Sequence, residues 1–205
     1  MCPTLVLTYF DMPGSAEVVR WALEQSGQEW EDKRISREEF GVLKPSLPNG
    51  QLPVLEIDGY VLPQSMAILR YVGKLGGLYP SDNLEAAKCD AILDSATDFY
   101  INIRPAYTEK DQAKKLEMFG DLAANYIPTW LANVEKQLTV TEGIYVSEKM
   151  TVADIMITTR LKMLKDGKFD GIPTTIVDAY PNLISLHDSI VGEPKIKAFI
   201  AKHAK

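Results

Sequence analysis

Apolar positions in the first 75 residues change spacing from segment to segment. "TLVLTYF", residues 4–10, reads as a strand, "GSAEVVRWALEQSG" as an amphipathic helix and "EWEDKRI" as a second strand. A short helical piece follows. "PVLEI" and "YVLP" flank the turn "DG", a hairpin signal, and "QSMAILRYVGKLG" returns to helical spacing. The predicted order is βαβαββα. Beyond Gly76, Gly77 and "YPSDN" the periodic segments are helical, as in Ile92, Leu93, Ala96, Phe99 and Ile103. The reading is an α/β domain over residues 1–75 and an all-α domain over 83–205, with the boundary between 75 and 82. Inside the second, "MTVADI" has the form of a capping box: Thr151 caps, Asp154 reaches back to its amide, and Met150 packs on Ile155 as a staple.

Composition narrows the function classes. The 205 residues are 46% hydrophobic, enough to bury a core. A net charge of -6 with no basic run argues against a nucleic-acid partner. Cys2 and Cys89 are far apart and outside any CxxC spacing, so neither a disulfide framework nor a thiol redox motif is indicated. His187 and His203 belong to no cluster at ligand spacing, which leaves no case for a metal. The start "MCPTLVLTYF" lacks the form of a signal peptide, and no apolar run reaches about 18 residues. The expectation is a cytoplasmic protein with no membrane partner.

Pro53 stands directly before a core strand, although proline cannot donate to a ladder. It is either a trans edge-strand proline or a feature with another purpose. An α/β half that starts βαβ and closes on a proline-led hairpin is similar to the thioredoxin-like fold. There a cis proline before the third strand exposes backbone groups to a peptide ligand. The amide-rich helix start at Gln64 and Ser65 follows closely, and a helix N-terminus with a hydroxyl suits an anion.

With these segments assembled, the chain resembles the cytosolic glutathione transferases of the sigma-like, Tyr-type class from about residue 4 to 200. The resemblance rests on "LTYF", "LKPSLPNGQLPVLEIDG", "QSMAILRYV", "GLYP" and the "TVADI" box. It implies that Tyr9, otherwise a strand-end core tyrosine, hydrogen-bonds the glutathione sulfur and favours its thiolate. Leu52, ahead of a cis Pro53, would pair its backbone with the cysteinyl portion in strand fashion. Gln64 and Ser65 would hold the γ-glutamyl carboxylate. Lys44, Gln51 and Phe40 would lie by the glycyl carboxylate. Lys44 is otherwise a solvated lysine, and Phe40 stands where the sigma pattern has tryptophan, so it offers no indole N–H.

Asp90, Asp94 and Asp98 stack at i, i+4 and i+8, by default a solvated acidic face. The resemblance gives Asp98 another role, reaching the glutathione α-ammonium in the neighbouring subunit of a homodimer. It also places a second-substrate pocket between the domains, lined by Phe10, Met12, Ile103, Arg104 and Tyr107. One departure stands out: the pattern carries arginines on both sides of the first-turn glycine, whereas Pro13 and Ser15 flank Gly14 here. Ser15 is the candidate substitute donor.

The resemblance implies an enzyme that joins glutathione to hydrophobic electrophiles, a detoxification chemistry. Glutathione is the co-substrate, and no metal or redox cofactor takes part. Two alternatives stand beside it: a glutathione-dependent isomerase of the prostaglandin D synthase type, and a non-catalytic, crystallin-like relative.

Overall fold

The computed structural model describes residues 3–140 and 145–203. Cys2 lies outside the described residues. The chain divides into two compact units, Met1–Pro80 together with Pro194–Lys205, and Ser81–Glu193.

The first unit follows the predicted order. Strand β1 (Leu5–Phe10) is followed by a 3-10 turn and helix α1 (Glu17–Ser26), then β2 (Trp30–Ile35), α2 (Arg37–Leu43), β3 (Val54–Ile57), β4 (Tyr60–Pro63) and α3 (Ser65–Leu75). The strands form one mixed sheet in the order β2-β1-β3-β4. β1 pairs with β2 in parallel and with β3 antiparallel, and β3 pairs antiparallel with β4 across the Asp58–Gly59 turn. α1 and α3 pack on one another. Their apolar stripes, including Val18, Val19, Ala22, Leu23, Ile68, Leu69 and Val72, are buried with Leu5, Leu7 and Leu55 of the sheet. α2 has no buried residue. A reciprocal cap opens it: Ser36 Oγ accepts from the Glu39 amide at 3.1 Å, and Glu39 Oε2 accepts from the Ser36 amide at 2.7 Å.

The last helix, α9 (Pro194–His203), was read with the helical domain, but it packs on α1 in the first unit. The Phe199 side chain is buried, with its ring 6.4 Å from that of Trp30. α9 carries buried Ile196 and Phe199, and helical periodicity cannot tell which partner such a face will find.

The second unit comprises α4 (Asn83–Thr108), α5 (Gln112–Asp121), a π-helical segment (Leu122–Tyr126), α6 (Ile127–Val140), α7 (Val152–Lys165) and α8 (Pro181–Gly192). α7 is its centre. Each residue from Thr151 to Leu161 is buried, and α7 packs against both α4 and α8. A helix so enclosed has no solvent to satisfy its first amides, which makes its cap decisive.

The predicted box supplies that cap. Thr151 Oγ1 accepts from the Ala153 amide at 3.2 Å, and Asp154 Oδ2 accepts from the Thr151 amide at 2.7 Å and the Thr151 hydroxyl at 2.8 Å. Asp154 Oδ1 accepts from the Val146 amide at 2.8 Å, fastening the chain before the helix. Burial raises the Asp154 carboxyl to about 6, against the pull of these donors.

Asp154→Ala leaves the Val146 and Thr151 amides without this acceptor and should lower stability by about 2 to 4 kcal/mol in denaturant unfolding. The pH dependence has a definite sign. With the folded value at about 6, above the ordinary 3.8, the contribution of protonation at this carboxyl is full below the lower value. It is lost as pH rises through the higher one. The stability of wild type relative to Asp154→Asn should therefore fall between about pH 4 and pH 7. A flat difference would show that burial does not govern this carboxyl.

Candidate active site

The sheet register brings three distant segments to one level. Thr8 pairs with Val54, and Val54 pairs with Pro63. The residues just past this row are Tyr9 on β1, Pro53 before β3 and Gln64 after β4. Pro53 has no N–H to extend the ladder, and the Leu52–Pro53 bond is cis. Leu52 is half-buried and Pro53 buried at this end of the sheet.

Gln64 occupies φ 75° and ψ 110°, a conformation costly for a residue with a side chain. That geometry turns the chain sharply from β4 into α3. Gln64 is exposed and Ser65 half-buried, and no side chain caps the first turn of the helix. The segment offers a carboxylate two polar side chains and the positive end of a helix.

Tyr9 is buried, at 9% exposure, and its hydroxyl is held from one side. Its Oη accepts from the Ser15 amide at 3.4 Å and from Ser15 Oγ at 3.3 Å. Both contacts use oxygen lone pairs, so the phenolic proton is available to a further acceptor. Ser15 is thus a donor to the Tyr9 hydroxyl.

Gly14 makes this approach possible. Its φ is +49°, and a Cβ built there would stand 2.4 Å from Tyr9 Oη.

Arg20 escaped the reading of the sequence. Its side chain is fully buried, with its Cζ 5.7 Å from the Tyr9 ring centroid. Nε pairs with Asp32 Oδ1 at 3.0 Å, and Nη1 with Glu17 Oε2 at 3.3 Å. Nη1 also donates to the carbonyls of Met12 at 2.8 Å and Pro13 at 3.3 Å, and Nη2 to that of Phe10 at 3.2 Å. Arg20 thus fixes the loop that follows Tyr9 and places a cation near its ring. The signal available in the sequence was a lone arginine between the apolar residues "VV" and "WAL" of α1.

A second group gathers on α2. The Phe10 ring lies edge-on to Tyr9 at 5.4 Å and to Phe40 at 5.3 Å, and Lys44 Nζ lies 6.0 Å from the Phe40 ring centroid. Phe40 is half-buried, while Lys44 and Gln51 are exposed. Arg37, whose Cζ is 5.7 Å from the Phe10 ring centroid, adds a cation that the sequence reading did not single out. Met12 is 39% exposed on the loop held by Arg20.

In the helical unit, Asp98 is exposed on α4, and its backbone carbonyl accepts from Asn102 Nδ2 at 2.8 Å. Ile103 is buried in the core of this unit, whereas Arg104 and Tyr107 are exposed. The Tyr107 ring stacks edge-on against Phe169 at 6.2 Å. Burial pushes the Cys89 thiol up to about 11, so it stays protonated near neutrality. Among the described residues, no group of three or more His, Cys, Asp and Glu side chains could hold a metal ion, and no helix is long and apolar enough to cross a membrane.

Two family models match the chain: "Glutathione S-transferase, N-terminal domain" over residues 5–74 and "Glutathione S-transferase, C-terminal domain" over residues 97–203. The chain belongs to the glutathione S-transferase family. Similar curated relatives of this glutathione S-transferase include hematopoietic prostaglandin D synthase of Gallus gallus, 33% identical over 203 residues, which cover 99% of this chain and 98% of that one. Glutathione S-transferase 1 of Ascaris suum is 33% identical over 207 residues, covering 99% and 98%. The solved structure of prostaglandin synthase D of Nilaparvata lugens superposes with a TM-score of 0.87 at 34% identity, covering 98% of each chain. These likenesses support the sigma-like assignment.

Gly14→Ala should push the Tyr9 hydroxyl from its position, because the new methyl group would meet a buried ring and not a mobile surface chain. The expected result is a loss of activity of at least about tenfold and of stability by roughly 1 to 3 kcal/mol. Steady-state kinetics and thermal unfolding check it. Unchanged kinetics would mean that the Ser15 contacts do not position Tyr9.

Proposed function

We propose that this protein conjugates glutathione to hydrophobic electrophiles, with Tyr9 donating a hydrogen bond to the sulfur. The observation that supports this reading is the row Thr8–Val54–Pro63, beyond which Tyr9, Pro53 and Gln64 follow at the same end of the sheet. An extended tripeptide suits such a row. Its cysteinyl unit pairs with the Leu52 backbone, its γ-glutamyl carboxylate meets Gln64 and Ser65, and its glycyl carboxylate meets Lys44, with Gln51 and Phe40 alongside.

The chemistry follows from the accepted hydrogen bonds of Tyr9. The hydroxyl donates its free proton to the sulfur, stabilising the thiolate against the thiol. That thiolate attacks the electrophilic carbon, and the leaving group departs with its electron pair. Phe10 and Met12 supply apolar surface to the second substrate. The reading places the activity in the cytoplasm as a disposal route for electrophiles.

The relatives named as prostaglandin D synthases favour a second reading, glutathione-dependent isomerisation. Product analysis with a prostaglandin endoperoxide, run beside a conjugation assay with a chromogenic aryl halide, separates the two. Turnover in neither assay would favour a non-catalytic, crystallin-like role.

Tyr9→Phe keeps the ring and removes the donor. A charge-assisted bond of about 1.5 to 3 kcal/mol lowers a thiol pKa by about one to two units. In Tyr9→Phe, bound glutathione should titrate nearer its free value, and turnover near neutrality should fall about ten- to a hundredfold. Affinity for an S-alkylated glutathione should stay nearly constant. Identical thiolate titrations in the two proteins would remove Tyr9 from this role.

A homodimer is part of the same reading, with Asp98 reaching the α-ammonium of glutathione bound to the partner. Asp98→Asn should then weaken glutathione binding by about 1 to 3 kcal/mol while the fold persists. Calorimetry and sedimentation check this; unaltered affinity, or a monomer in solution, would exclude the composite site.

A further inference from the structure

One carboxylate on β2 is shared by two arginines. Leu7 pairs with Asp32 and Tyr9 with Arg34 across the β1–β2 ladder, so Asp32 and Arg34 stand on the same face of β2. Arg20 meets them from α1. Asp32 divides its oxygens between the two cations: Oδ1 pairs with Arg20 Nε at 3.0 Å, and Oδ2 with Arg34 Nε at 2.8 Å. The Arg20 side chain is fully buried, and those of Asp32 and Arg34 are 16% and 22% exposed, so salt and water screen this group little.

The far ends of both guanidiniums go to one loop. Arg20 Nη2 donates to the Phe10 carbonyl, and its Nη1 to the carbonyls of Met12 and Pro13. Arg34 Nη1 pairs with Asp11 Oδ1 at 2.8 Å. Each residue from 10 to 13 is thus fastened to one arginine or the other, and Gly14 and Ser15 come next. Glu17, the other carboxylate on Arg20, accepts from Trp21 Nε1 at 3.0 Å, and both of these contacts lie within α1.

A buried ion pair adds little net stability when desolvation offsets its attraction, but a planar fork meeting fixed acceptors sets position. Position is what the Tyr9 hydroxyl requires. Its contacts from the Ser15 amide and hydroxyl, at 3.4 and 3.3 Å, lie near the limit of a hydrogen bond, so a small shift of the loop would break them.

We propose that Asp32 is a positioning residue for the Tyr9 hydroxyl: it orients Arg20 and Arg34, which hold residues 10–13 and so set Ser15 against the phenolic oxygen. Its effect on thiolate formation rests on the transferase reading; the loop clamp does not.

Asp32→Asn keeps the size of the side chain, but its amide nitrogen cannot accept from the second guanidinium. In this variant, amide hydrogen exchange of Ser15 should quicken at least about tenfold, while the Leu7 amide in the β1 ladder keeps its rate. With glutathione and a chromogenic aryl halide, turnover near neutrality should fall about tenfold and return to within about threefold of wild type near pH 9, where the thiol ionises unaided. Unchanged exchange at Ser15 overturns the proposal. So does a loss of turnover that is uniform across pH, or a Leu7 amide that quickens with Ser15, either of which would make Asp32 a support of the fold alone. Should Asp32→Asn fail to fold, Arg34→Met, which releases Asp11 and leaves Arg20 paired with Asp32, is held to the same comparisons. Quickened exchange at Ser15 in the variant, with no turnover in wild type, keeps the loop clamp and removes the transferase.

Discussion

The pairing Thr8–Val54–Pro63 is the constraint on which the first unit depends. Strand pairing has a side-chain period of two, so a slip of one residue would turn Leu5, Leu7 and Leu55 out of the core. Burial of these side chains therefore locks the register. The same lock decides where the strands stop, and the active-site candidates are the residues just beyond the stop. Packing in the core and geometry at the site are one constraint seen at two places along the strands.

The first turn beside Tyr9 lacks positive charge, and other groups surround the ring and its hydroxyl. Pro13 and Ser15 bring no positive charge, but Arg20 reaches the same neighbourhood from α1. Its carboxylate partners Asp32 and Glu17 neutralise much of its field, and its remaining donors bind backbone carbonyls of the loop. Its main physical effect is thus rigidity. Ser15 acts more directly, by occupying acceptor capacity of the phenolic oxygen and leaving its proton for a ligand. Gly14 is the condition for the Ser15 contact, since a β-carbon there would crowd the Tyr9 hydroxyl and ring.

In the helical unit, α7 carries two buried ionisable groups with opposite fates. Asp154 meets two backbone amides and a hydroxyl and is an integral part of the helix start. Arg160, less than two turns on, meets one distant carbonyl, a thioether and a ring. Hydrogen-bond satisfaction thus differs sharply between the two, although both are buried.

Much of the architecture was legible before any coordinates. Alternating and helical spacing identified the βαβαββα order because each period follows from local backbone geometry. The turn at Asp58–Gly59 and the Thr151–Asp154 cap were readable because their partners lie within a few residues. The candidate roles of Tyr9, Leu52, Gln64 and Ser65 come from a family resemblance, and the register places these residues at one end of the sheet. What the sequence could not decide involved partners distant along the chain or on other elements. α9 shows an ordinary amphipathic pattern, yet only packing selected α1 as its neighbour. Arg20 and Arg160 are both arginines inside apolar helices. Only tertiary structure surrounded the first with carboxylates and left the second with a carbonyl and a ring, because a charge's partners are set by long-range packing, which periodicity does not encode.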